Sequence, residues 1–221
     1  IFGCDGFGRD VFARVLHGGR VSLSIAVLAT ITSCALGSAL GAIAGYFGGV
    51  VDSVIMRTLD IFMSVPDILF TMAVVVALGS NFTNLLIALT LAYFTNYVRL
   101  VRSQVLNLSE LEYVEAARAG GSGNVRIILS HIIPNAVGVI IVNVTLNIAK
   151  IIIYESTLSF LGLGMPPPQP EWGLMLSEAR EFMRKAPFLL FYPALAIVLC
   201  ACSVNLVGDG LRDALDPHLK S

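Results

Sequence analysis

Five long apolar runs, joined by short polar links, limit what this chain can fold into more than any other feature. They lie at residues 21–46, 61–78, 85–101, 136–160 and 187–207. A bilayer's hydrocarbon core takes roughly 20 apolar residues of helix. Inside lipid, a backbone must satisfy its own polar groups, so such runs fold as helices packed in a bundle. Composition agrees: 13% of residues are charged, against about 25% in soluble domains. The predicted class is all-α, a polytopic membrane bundle with about five spans. The sequence opens at Ile1 on polar residues, so one further N-terminal span is expected to precede it.

Several function classes fall away. Net charge is −1 with no basic block, which argues against nucleic acid as a partner. The cysteines at 4, 34, 200 and 202 have no metal-ligand or disulfide spacing, and His17, His131 and His218 are scattered. No metal site and no catalytic residue is expected. An intramembrane hydrolase would need a Ser/His or metal pair within the spans, and no histidine lies in one.

Taken in order, residues 1–20 are polar and glycine-punctuated, with a short surface helix expected at residues 9–17. Asp5, Arg9 and Asp10 read as an ion-paired cap of this outer segment. The main domain is assigned to residues 21–207. Gly37, Gly41 and Gly45 recur every four residues, a stripe that lets helices approach closely. It serves packing within the subunit or, alternatively, a subunit contact. Residues 52–60 read as a polar link. Pro66 sits early in the second run, and Asp67 beside it is either a substrate or ion contact or an interfacial acid.

A polar, arginine-bearing island at residues 110–134 organises the rest. Ser109 and Glu112 have capping-box spacing, and strong helix formers run to Ala119. Gly120, Gly121 and Gly123 break that helix, with positive φ expected at Gly120 and Gly121. A second short helix is expected over residues 124–133, with a new start at Pro134. Arg99, Arg102, Arg118 and Arg126 gather on this side, which places it in the cytoplasm. Residues 161–186 then fall outside, and residues 208–221 form a cytoplasmic tail.

The run at 136–160 is the most polar of the five. Asn143, Asn147 and Lys150 share a helical face, and Glu155 follows. That face lines a translocation path or makes interhelical hydrogen bonds. The prolines of residues 158–173 preclude helix there. An amphipathic helix is expected at residues 174–185.

These motifs carry a resemblance. Glu115-Ala116-Ala117, then Gly121 and Pro134, resembles the cytoplasmic coupling loop of permease subunits in binding-protein-dependent ABC importers. Leu158-Ser159-Phe160-Leu161-Gly162-Leu163-Gly164, the prolines and Trp172-Gly173 are similar to the hallmark of their dipeptide/oligopeptide/nickel branch. The tail Gly208-Asp209-Gly210-Leu211-Arg212-Asp213, ending in Asp216-Pro217, resembles that branch again. His131 and Lys150 depart from the usual apolar and small residues.

The resemblance implies a permease subunit in a bacterial or archaeal cytoplasmic membrane, moving peptides or a similar small solute. Its implied partners are a second permease subunit, two ATPase subunits and an extracytoplasmic solute-binding protein. The coupling residues it implies are Glu115, Ala116, Ala117, Arg118, Gly121 and Pro134. No Gly-x-x-x-x-Gly-Lys-Ser/Thr loop is present, so this chain needs no cofactor and ATP is used by its partners. The alternatives are an ion-coupled secondary transporter, which predicts paired broken spans in related halves, and a membrane scaffold without transport.

Overall fold

The computed structural model describes residues 2–215. Among them every regular element is helical: α1 (Val11–Phe47), α2 (Gly49–Met63), α3 (Asp67–Leu78), α4 (Phe82–Ser109), α5 (Glu112–Ala119), α6 (Asn124–Ile127), α7 (Ile133–Phe160), α8 (Trp172–Ala179) and α9 (Phe188–Leu215). A π-helical turn, Ile128–Ile132, joins α6 to α7 without a break. Four helices are long and apolar enough to cross a membrane, and α2 with α3 forms a fifth, bent span. Four of the five expected spans are single helices, and the run at 61–78 counts as a fifth only when α2 and α3 are taken together as one bent span. Asp216 and Pro217 of the tail motif lie outside the described residues.

The first span is longer than its apolar run. α1 has 37 residues, about 55 Å at 1.5 Å per residue, against a hydrocarbon core of about 30 Å. The expected surface helix at residues 9–17 is its first turns, and Gly18 and Gly19 do not interrupt it. Their role is close approach: a Cβ on Gly19 would lie 2.7 Å from the Trp172 ring. The Trp172 indole Nε1 donates to the Val15 carbonyl at 2.8 Å. α1 starts on Asp10, whose side chain accepts from the Ala13 amide.

The Gly37–Gly41–Gly45 stripe faces α4, inside the subunit. A Cβ on Gly37, Gly41 or Gly45 would come within 2.6, 2.6 and 2.9 Å of the Phe94, Val98 and Arg102 carbonyl oxygens. That seam makes α1 and α4 the central pair of the bundle.

Residues 52–60 form a helix, not a link. α2 carries Asp52 and Asp60, which pair with Arg102 and Arg99 of α4 at 2.5 and 2.8 Å. The next run does not cross as one helix: α2 and α3 meet at 82°, and α3 alone, at 12 residues, reaches only about 18 Å. Pro66 causes the break, since it has no amide to donate and disfavours helix in the residue before it. Asp67 sits exposed in the first turn of α3, where a carboxylate complements the helix dipole.

Other boundaries also shift. The expected helix at residues 124–133 and the span after it are one rod, Asn124–Phe160. Pro134 occupies the second position of α7, and the wider π turn just before it accommodates the missing hydrogen bond and the ring. The amphipathic helix expected at 174–185 is the shorter α8, followed by a single 3₁₀ turn. α9 runs beyond residue 207 into the tail.

The core is divided along the bundle axis, and its two ends are named after the expected topology. An outer cluster, at the Trp172 end, joins Ile25 and Ala29 of α1, Leu85 and Leu89 of α4, Ile151 and Ile152 of α7, and Trp172. An inner cluster joins Ala42, Val101 and Val105 to Val114, Ile127, Ile132 and Ala136. At the outer end Arg9 and Arg14 both bridge Asp5 to Glu178 of α8. Burial pushes the Asp5 carboxyl up, but the amides of Arg9 and Phe7 and both guanidinium groups outweigh it and hold it at about 2.

Candidate coupling surface and transport face

The island at residues 110–134 folds as two short helices around a glycine turn. The expected capping box does not form: Leu111 occupies the N-cap position of α5 without a side-chain bond. Ser109 instead donates to the Leu106 carbonyl at 3.0 Å, because α4 continues to Ser109 and leaves that side chain on its last turn.

The turn itself is a Schellman motif. The Gly121 amide donates to the Arg118 carbonyl and the Ser122 amide to the Ala117 carbonyl, each at 3.0 Å. Gly121 has φ +77°, where only glycine is comfortable. Gly120 has φ −75° and needs no such freedom, so one glycine sets the hinge rather than two.

Two anchors hold this motif to the bundle. Val114 of α5 and Ile127 and Ile132 of the α6 side are fully buried in the inner cluster. Tyr46, at the end of α1, touches both halves. Arg118 lies over its ring at 5.1 Å, and its hydroxyl donates to Asn124 Oδ1 at 3.1 Å. Sequence reasoning missed Tyr46, since nothing in its local pattern marks a partner 72 residues further along the chain. A tyrosine at the foot of a glycine-striped helix was the only available signal.

The outward face is different in character. Val125 and Leu129 are 68% and 62% exposed, and Leu111 and Tyr113 are also open. Around them Glu115, Ala116, Arg118 and Arg126 are exposed and Ala117 is half-buried. Among the described residues Glu115 forms no ion pair. An apolar patch with both charges at its rim suits docking of a partner surface. Pro134 is exposed at the junction with α7.

The expected polar face of α7 separates into three environments. Lys150 is exposed. Asn143 donates to the Val139 carbonyl of its own helix at 3.0 Å and lines an open cavity of about 570 Å³ between α7 and α9, with Asn135 and Arg212. Asn147 is buried and lies beside the Tyr97 hydroxyl of α4, which completes no well-aligned hydrogen bond. Glu155 does not join them. Five residues beyond Lys150, it points about 140° away around the helix and is wholly buried at the outer end. Among the described residues no group of His, Cys, Asp and Glu could hold a metal ion.

Comparison with known proteins covers nearly the whole chain. Residues 37–221 match the family model "Binding-protein-dependent transport system inner membrane component". The dipeptide transport system permease protein DppC of Alkalihalophilus pseudofirmus is 45% identical over 220 residues, 100% of this chain and 72% of that protein. The glutathione transport system permease protein GsiD of Pectobacterium atrosepticum is 44% identical, over 99% of this chain and 73% of that one. Two inward-facing structures of the MetNI methionine ABC transporter share the fold at 16% identity. Their TM-scores are 0.71 and 0.75, over 92% and 93% of this chain and 96% and 97% of theirs.

Proposed function

This chain belongs to the binding-protein-dependent transport system inner membrane component family, and from that premise we propose how its surfaces divide the work of import. It is a multi-pass permease subunit of an ATP-driven ABC importer, a transport protein and not an enzyme. Membership implies ATPase and solute-binding-protein partners.

In the proposed assembly, this subunit pairs with a second permease subunit in the cytoplasmic (inner) membrane, over two ATPase chains that consume the ATP. A solute-binding protein delivers cargo from outside. Peptide cargo, including peptides as small as glutathione, is favoured by the relatives named for dipeptide and glutathione transport. Glu115, Ala116, Ala117 and Arg118, with the hinge at Gly121 and the junction at Pro134, form the ATPase-docking unit. Asn143, Asn147 and Lys150 contribute to the transport path, and Glu155 supports it from the outer core.

The observation that carries this reading is the two-sided coupling motif. One side is locked into the inner core through Val114, Ile127 and Ile132. The other leaves Val125, Leu129 and Glu115 open. A helix pair fixed on one side and bare on the other can transmit a push from a partner into the spans. The test is ATP-dependent uptake by proteoliposomes holding the full complex with Glu115→Lys or Leu129→Asp. The expected result is normal membrane insertion with loss of ATPase co-purification or of solute-stimulated ATP hydrolysis. Wild-type association and stimulation in both variants would remove this surface from coupling.

A further inference from the structure

Two buried acids sit together at the outer end, and the division above gives them no chemistry of their own. Glu155 near the end of α7 and Glu171 at the start of α8 are both fully inaccessible. The start of α8 packs directly on this part of α7, where a Cβ on Gly173 would press on the Ser156 carbonyl oxygen and lie 2.7 Å from the Ser159 Cβ, and this brings Glu171 beside Glu155. The Glu171 Oε2 atom accepts the Met165 amide at 2.9 Å, which ties the proline-rich outer loop to the same point. Ser156 donates weakly to Glu155 Oε2, at 3.4 Å. Ser22 of α1 lies alongside, and Ser159 is one helical turn further on. The Glu155 Oε1, Glu171 Oε1, Ser22 Oγ and Ser159 Oγ atoms are buried without partners.

Among the described residues no positive charge reaches this cluster. On α1, Arg14 is committed to Asp5 and Glu178, while His17 and Arg20 are exposed. On α8 the remaining acid, Glu178, is held by Arg9 and Arg14. Arg180, just beyond α8, lies over the Phe160 ring. On α7, Tyr154 turns to Tyr93 of α4. Two carboxylates side by side, both buried and without a cation among the described residues, cannot both stay ionised.

We propose that Glu155 and Glu171 hold one proton between them, and that this shared proton latches the outer loop onto the spans. The two glutamates are then positioning residues for the outer mouth of the transporter. The proton converts two repelling acceptors into donor and acceptor, so it is bound in the latched form and released on opening. Rising pH therefore favours the open loop. The loop carries Trp172, whose indole caps Gly18 and Gly19 of α1, so release frees the outer end of α1 as well. The part in transport rests on the reading above; the latch itself does not.

The test uses the full complex in nanodiscs, where both faces are accessible and topology cannot confuse the result. Native cysteines are removed and Met165→Cys is introduced; that side chain is partly buried against the outer core. Maleimide labelling is followed from about pH 6 to about pH 9, where buried carboxyls can titrate. It is normalised to Gln169→Cys, an exposed position of the same loop. The expected result is normalised labelling that rises with pH, by up to about tenfold per unit for one linked proton. Glu155→Gln and, separately, Glu171→Gln supply the bridging hydrogen permanently at the same net charge. Each should keep the loop protected and flatten the profile. Labelling that is flat with pH in the parent complex overturns the proposal. So does a profile unchanged in both Gln variants, or protection that follows sodium, potassium or calcium concentration at fixed pH.

Discussion

Replacing Gly121 isolates backbone conformation as a cause of lost coupling. Its φ is +77°, and a Cβ built there meets nothing within 4 Å. The cost of any side chain is therefore conformational, with no steric clash to confuse it. An L-residue in this region costs about 1–2 kcal/mol; a β-branched one approaches about 3 kcal/mol. Asparagine tolerates the region better than alanine. Gly120, with φ −75°, should accept alanine at little cost. A coupling energy of about 1–3 kcal/mol corresponds to about 5–150-fold in equilibrium, so the strain and the coupling are of the same size. The expected order of solute-stimulated ATP hydrolysis by the reconstituted complex is wild type, Gly121→Asn, Gly121→Ala, Gly121→Val, with Gly120→Ala near wild type. The spans should insert normally in all of them, because the turn lies outside the inner core. If Gly120→Ala is as damaging as Gly121→Ala, or Asn is no better than Val, the hinge does not act through φ and the argument fails.

Other outcomes follow from the packing. Gly41→Leu should prevent α1 from seating on α4 and abolish assembly, read as loss of the complex on gel filtration; a stable complex would mean the seam can open. Asn147→Leu should impair uptake with assembly intact, and normal uptake would return Asn147 to a packing role. In intact cells, an impermeant thiol reagent added outside should not reach Ser122→Cys; labelling would invert the topology. Asp5, depressed from its ordinary 3.8 to about 2, stabilises the outer segment above about pH 4, and that contribution should disappear as pH falls towards about 2. Hydrogen exchange of residues 2–10, taken as protection relative to the intrinsic rate at each pH, checks the sign, and weaker protection at the higher pH would contradict it.

What could be read from the sequence followed its periodicities and glycines. Apolar run length located the spans, and Gly37, Gly41 and Gly45 were legible as a close-packing stripe because their spacing is itself the geometry. Gly121 was legible for the same reason. What stayed hidden depends on partners far away in the chain. Gly18 and Gly19 look like a helix break until Trp172 is seen against them. Asp52 and Asp60 look like a polar link until Arg102 and Arg99 supply their counter-charges. Glu155 reads as one more polar residue of a transport helix. Only the position of Glu171, brought back by the loop, separates it from Lys150. Ser109 and Glu112 mislead in the opposite sense: their spacing suits a cap, but α4 continues to Ser109 and takes that serine for its own last turn.

The rod Asn124–Phe160 joins these observations mechanically. At 37 residues it is about 55 Å long. It begins in the exposed docking patch and passes Asn143, Asn147 and Lys150. It ends at the buried glutamates, and the helix runs unbroken through its one glycine beyond the docking patch, Gly138. A packed helix curves only gently along its length and kinks sharply only at a defect. Here the defect is the π turn before Pro134, at the end that carries the docking patch. Force applied at Val125 and Leu129 can then go two ways. Either it is absorbed at the π turn, or it tilts the whole of α7 and arrives at the outer loop. The inner core decides between them: Ile127 just before the turn, Ile128 and Ile132 at its two ends and Ala136 beyond it all lie within one cluster. That cluster splints the defect and favours the second route. Removing the splint, with Ile132→Ala at about 2–5 kcal/mol for a buried isoleucine, should leave ATPase docking intact. It should also break the link between ATP hydrolysis and the outer loop. Met165→Cys labelling that still responds to ATP in that variant would show that α7 carries the signal without the splint.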